Sequence, residues 1–92
     1  MPLMSEQING IGARQFDAGW IGTFTRPDGL AALVTTPAPT EKAAVEAAQR
    51  WKSRQEPPSG AFQWAQHPKY PGFFEVWQIQ KIGQIPVPLE DA

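Results

Sequence analysis

The sequence contains no cysteine, which excludes disulfides and thiolate metal ligation together and leaves packing alone to hold the fold. Histidine is nearly absent as well. His67 is the single one, so neither a recognisable zinc site nor a Cys-His nucleophile pair can be assembled, and His67 reads as a loop residue. No apolar run approaches the roughly 20 residues that a membrane-spanning helix needs. Met1 to Glu6 has neither the basic region nor the apolar stretch of a signal peptide. These absences lead to the expectation of a soluble protein in a reducing cytoplasm. An excess of charge of one sign is also missing. Eight basic against nine acidic residues leave a net charge of −1, which argues against a protein that coats nucleic acid and against an acidic imitation of DNA.

Catalytic patterns are equally sparse. Ser5, Ser53 and Ser59 lack the surroundings of a nucleophile elbow, and no pair of carboxylates is tied by spacing to one pocket. Gly10-Ile11-Gly12 is a fragment of a phosphate loop without the helix that would aim backbone donors at a phosphate. The expectation is a non-enzymatic protein with no cofactor, no metal and no small-molecule substrate.

What is present is best organised around Thr40 to Gln55, which reads as the only helix. Thr40 is placed to N-cap, and Glu41 falls where the positive end of the helix dipole favours a carboxylate. At about 100° per residue, Ala44, Ala47, Ala48 and Trp51 share one face, with Lys42, Glu46, Gln49, Arg50 and Ser53 on the other. The small residues would bring the helix axis close to a sheet, and Trp51 would supply most of the buried area. Glu56-Pro57-Pro58 stops it, because proline removes donors and disfavours helical backbone before it.

Before the helix, Ala13 to Phe16 can form a short strand, and Trp20 to Arg26 alternates in the manner of a pleated one. Arg26-Pro27-Asp28-Gly29 supplies fixed φ, a turn acceptor and positive φ for a reversal into Leu30 to Thr36, whose apolar run predicts burial on both faces. After the helix come a proline-rich connector over Glu56 to Gly60 and a short strand over Ala61 to Ala65. A loop at Gln66 to Gly72 and a returning strand over Phe73 to Ile82 follow. Ile85-Pro86-Val87-Pro88 can only be an edge or an extended tail. Met1 to Ile8 shows no period and reads as a frayed or docking-ordered terminus. Ninety-two residues bound one domain, 1–92. The expected class is α+β, with hairpin, helix and hairpin giving one antiparallel sheet of about four strands against a single helix.

Aromatic residues crowd the second half. Most of Phe62, Trp64, Phe73, Phe74 and Trp77 are assigned to packing, since a small sheet without disulfides needs large side chains in its core. Tyr70 is the exception, lying between prolines at a loop tip beside Lys69, where it can serve as an exposed anchor at an interface. Arg50 and Arg54 are one turn apart on the helix. They can complement the negative dipole end, and Arg50 can pair with Glu46, which would make them a solvated face; alternatively they join Lys69 and Tyr70 as a partner-binding surface.

Thr40-Glu41-Lys42-Ala43-Ala44, then Ala47-Ala48, then Trp51-Lys52 and Arg54-Gln55, resemble a helix found among small phage-encoded inhibitors of type I-F CRISPR surveillance complexes. Such anti-CRISPR proteins occupy a surface of the crRNA-guided complex and block target DNA recruitment or hybridisation. The resemblance implies a non-enzymatic partner of the complex's protein subunits in the cytoplasm of an infected bacterial host, wedged between subunits and able to touch the guide RNA. It transfers no binding residue; the chain also departs from the acidic, DNA-imitating members by being nearly neutral. Two other classes stay open. One is a small cytoplasmic nucleic-acid-binding module using Lys69, Tyr70 and the helix-end cations; the other is a structural or regulatory phage protein that dimerises through an edge strand.

Overall fold

Six strands and one helix follow one another as β1 (Ile11–Phe16), β2 (Gly19–Thr25), β3 (Ala31–Leu33), α1 (Glu41–Arg54), β4 (Phe62–Gln66), β5 (Phe74–Gln80) and β6 (Gly83–Pro86). The structure, a computed structural model, describes residues 10–54, 62–80 and 83–91. The readings of Met1 to Ile8, Gln55, the Glu56 to Gly60 connector, Ser5 and Ser59 lie outside those residues.

The α+β class and the single helix agree with the sequence reading, while the sheet exceeds it by two strands and is not wholly antiparallel. Its order is β1-β2-β3-β5-β4. β3 and β5 run parallel through the pair Ala32 and Phe74, and β6 adds to β5. Phe74 pairs with Gln66 of β4 as well as with Ala32, and Trp77 pairs with Gln63 of β4 as well as with Pro86. β3 and β6 therefore share the edge of β5 opposite β4. The sequence left Ile85-Pro86-Val87-Pro88 as an edge or an extended tail, and Ile85 and Pro86 lie in β6 on an edge, where the donor that Pro86 lacks is not needed.

α1 begins where Thr40 caps it: the Ala43 backbone N–H donates to Thr40 Oγ1 at 3.1 Å. Ala44, Ala47, Ala48 and Trp51 are buried, as the spacing predicts. The close approach rests on Gly22 of β2. A Cβ there would sit 2.6 Å from the Ala44 carbonyl oxygen and 2.8 Å from the Ala48 Cβ, so any larger residue would push the helix away. Thr35, 2% exposed, fixes the same spot by accepting from Gly22 N at 2.8 Å and donating to the Thr36 carbonyl at 2.9 Å.

Cross-strand partners share a face, so Ile11, Gly22, Phe24 and Ala32 look toward the helix while Gly12, Arg14, Phe16, Ile21, Thr23 and Leu33 look away from it. The core on the helix side gathers Ile11, Ala32, Val34, Ala48, Trp51, Val76 and Val87. Yet Ile21 and Leu33, on the other face, are each only 4% exposed; the centre of the sheet is covered on both sides. Rings from beyond neighbouring strands close over it. Phe16 reaches Phe73 at 5.4 Å between ring centroids and Phe24 reaches Trp64 at 6.0 Å, although neither pair comes from adjacent strands. A flat sheet with strands about 4.8 Å apart would keep such rings separate. No helix among the described residues is long and apolar enough to cross a membrane.

Candidate functional site

The loop between β4 and β5 is shaped by its histidine. His67 N donates to the Phe73 carbonyl at 2.9 Å. His67 Nδ1 accepts from the backbone N–H groups of Lys69 at 3.0 Å and Tyr70 at 3.3 Å. An imidazole nitrogen that accepts carries no hydrogen, so in the neutral ring the hydrogen resides on Nε2. Gly72, with φ of 89°, supplies the left-handed backbone that returns the chain to β5. The loop delivers Tyr70 to Phe16, with ring centroids 4.4 Å apart, and Phe73 to the same ring. Tyr70 is thus half-buried rather than fully exposed.

Two cations complete this corner. The Arg14 Cζ lies 5.6 Å from the Phe73 ring centroid, and the Lys69 Nζ lies 5.5 Å from that of Tyr70. Both are attracted to the negative ring faces, and neither makes an ion pair among the described residues. Arg14 and Phe16 were missing from the sequence-derived surface. Their shared parity on β1 was a visible signal, but the path of the loop that brings Phe73 and Tyr70 to them was not.

Arg50 and Arg54 are placed elsewhere. Arg50 Nε lies 3.1 Å from one Glu90 carboxylate oxygen and Arg54 Nη2 lies 2.7 Å from the other. Arg50 Nη2 also donates to the Asp91 backbone carbonyl at 3.0 Å. The sequence allowed Arg50 a partner one turn back at Glu46; the structure pairs it with Glu90, 40 positions on. Both guanidinium side chains remain about half exposed, at 53% and 52%. No hydrogen bond, ion pair or ring contact among the described residues links Arg50 and Arg54 to Lys69 and Tyr70, so the four form two clusters.

A third cation site lies at the first hairpin turn. Arg26 forms an ion pair with Asp28 while its Cζ sits 4.8 Å from the Trp64 ring centroid. Hydrogen bonding from Arg26, then from the Leu30 backbone N–H, holds the Asp28 carboxyl below its ordinary pKa. A cleft of about 160 Å³ where β3, β5 and the segment 86–89 meet is lined by Leu33, Trp51, His67, Glu75, Val76 and Val87, among others. Ligand pockets usually span about 300–1,000 Å³, so this cleft has room for a single side chain more than for a substrate. Among the described residues no three His, Cys, Asp or Glu side chains gather as a metal site requires. Comparison of the chain with family models, curated proteins and solved structures returns no match.

Proposed function

We propose that this chain is a non-enzymatic inhibitor that docks on the protein subunits of a crRNA-guided type I-F CRISPR surveillance complex and blocks target DNA recruitment or hybridisation. It would act in the cytoplasm of an infected bacterial cell. The observation that carries the docking part of this reading is the corner formed by Phe16, Tyr70 and Phe73 with Arg14 and Lys69 laid on the rings. Aromatic and cationic anchors of this kind dominate interface energetics. The target rests on the resemblance of the Thr40 to Gln55 helix to that inhibitor group. Arg50 and Arg54 would offer a second contact, separate from this corner, through the guanidinium donors not engaged by Glu90 and the Asp91 carbonyl.

The test is co-purification with an assembled, crRNA-loaded type I-F complex, followed by target-DNA binding with and without the chain. Lys69→Glu with Tyr70→Ala should lower affinity for the complex at least tenfold, about 1.4 kcal/mol per decade. Failure to co-purify, together with undiminished DNA binding by the complex, would overturn the reading.

A further inference from the structure

The parity of the ladder hydrogen bonds fixes which backbone groups each outer strand turns away from the sheet. His67 N donates to the Phe73 carbonyl, in register with the ladder of β4 on β5. In an antiparallel ladder bonded pairs alternate with unbonded ones, so Gln63 and Ala65 direct their groups to β5, while the N–H and C=O of Phe62, Trp64 and Gln66 point outward. The same count from Thr25 N on the Gly10 carbonyl turns Ile11, Ala13 and Gln15 outward on β1. From Val87 N on the Val76 carbonyl it turns Gln84 and Pro86 outward on β6. Pro86 has no donor to offer, and β1 carries Arg14. β4, from Phe62 to Gln66, has neither a proline nor a charge, two of the devices that blunt a free edge. No hydrogen bond among the described residues reaches its outward groups.

We propose that the free edge of β4 pairs with β4 of a second copy of this chain, antiparallel about a two-fold axis at Trp64. The outward groups lie at alternate positions centred on Trp64. A two-fold there sets Phe62 of each copy opposite Gln66 of the other and Trp64 opposite Trp64, so every outward N–H and C=O meets its complement. The spacing matches because residues two apart on a strand are about 6.8 Å apart in both copies. Charge also favours a second copy. A two-fold places a residue near the axis against its own kind, which would set like charges together on a charged strand, and β4 has none. Arg26, on the Trp64 ring, is already paired with Asp28. Phe62 and Trp64 are each half-buried and retain ring surface, and aromatic neighbours across strands add to a ladder. The pairing uses none of the rings or cations of the Phe16 corner and stands independently of docking on the CRISPR complex.

The experiment is analytical ultracentrifugation of the full chain from micromolar to millimolar concentration, with amide hydrogen exchange read at both ends of that range. A reversible monomer–dimer equilibrium is expected, since a seam of one short strand from each copy lies at the low end of interface sizes. In the dimer, exchange at Phe62, Trp64 and Gln66 should slow, while exchange at Ala13 and Gln15, outward on β1, stays as in the monomer. Gln66→Pro removes one outward donor from each copy and spares the bonds to β5, so it should weaken dimerisation at least tenfold. Gln15→Pro makes the same change on β1 and should leave dimerisation as it is. Circular dichroism melts establish that each variant folds, and the exchange pattern of the unmodified chain tests the pairing without any variant. A monomer at millimolar concentration, or a dimer whose added protection falls elsewhere than on β4, would overturn the inference. Slowed exchange on β4 that appears only in the presence of the crRNA-loaded complex would also overturn it, with a strand of that complex as the occupant. Dimerisation through β4 without co-purification would support the inference and overturn the proposed target.

Discussion

Near the C-terminal end of α1, two guanidinium groups close on the single carboxylate of Glu90; at the Phe16 corner, an arginine and a lysine lie on aromatic rings. The first arrangement ties parts of the chain 40 positions apart and lets each charge stabilise the other. Glu90 is the more sheltered member, its side chain 17% exposed, so removing its partners would leave a partly desolvated carboxylate. The second arrangement sets Arg14 of β1 on Phe73 and Lys69 on its neighbour Tyr70, beside a loop already held by hydrogen bonds at His67. Cations of the same formal charge are thus balanced differently: one pair shares a carboxylate, the other lies on rings.

The harshest way to break this contrast is to remove the packing beneath the ion cluster. Trp51 is 5% exposed and lies one residue from Arg50. Trp51→Ala should destabilise the chain by about 3–5 kcal/mol, because the alanine neighbours on the helix cannot close the cavity. A urea midpoint close to that of the unmodified chain would show that the helix does not depend on this ring.

A sharper comparison sets Arg50→Glu with Arg54→Glu against Arg14→Glu with Lys69→Glu. The helix-end reversal places like charges around Glu90 and should lower stability by about 1–3 kcal/mol, with the loss shrinking as salt screens the partly exposed groups. The corner reversal removes only exposed cation–π attraction and should lower stability by about 1 kcal/mol or less. Thermal melts at low and high salt read both. Equal losses at the two sites would erase the distinction drawn between them.

The smallest expected effect belongs to Arg26 and Asp28, where an ion pair and a ring contact share one arginine. The Asp28 carboxyl should titrate below the ordinary carboxylate range in a carbon-13 chemical-shift titration, because Arg26 and the Leu30 N–H favour its charged form. A depressed folded-state pKa means that the contribution is present above the unfolded-state pKa and is lost as pH falls through the lower, folded value. Arg26→Gln should return the Asp28 titration toward the ordinary range. An unaltered titration in that variant would remove Arg26 as the main cause.

The helix was legible in the sequence because every signal for it is local: Thr40 for the cap, the alanine face, Trp51 for the buried end. The turn at Gly29 was legible for the same reason, and its φ of 97° bears out the glycine. β6 and the full length of β1 were harder, since proline and glycine are ordinarily read as breaks, and an edge strand tolerates both. The parallel junction of β3 and β5 has no local signature. Nor does the partner of Arg50: Glu46 was the sequence-visible choice, and the fold supplied Glu90 instead. Arg14, Phe16, Tyr70 and Phe73 belong together only through the tertiary fold, which carries the loop before β5 to β1, and a period-2 pattern cannot encode that.

Apart from the ladder pair of Ala32 with Phe74, the parallel seam is reinforced by the segment 87–90, which bonds to both of its sides. Val87 N donates to Val76 O, Glu90 N to Val34 O, and Thr36 N to Glu90 O, while the Val87 side chain enters the core. This segment works as a stitch. Pulling it out would simultaneously expose donors and acceptors on β5 and on the strand beyond β3, so partial release of the tail gains little before the seam itself is lost. Amide protection of Thr36, Val87 and Glu90 should then rise and fall together as one cooperative unit, which makes the two halves of the sheet a single body for exchange even though only a narrow parallel contact joins their strands.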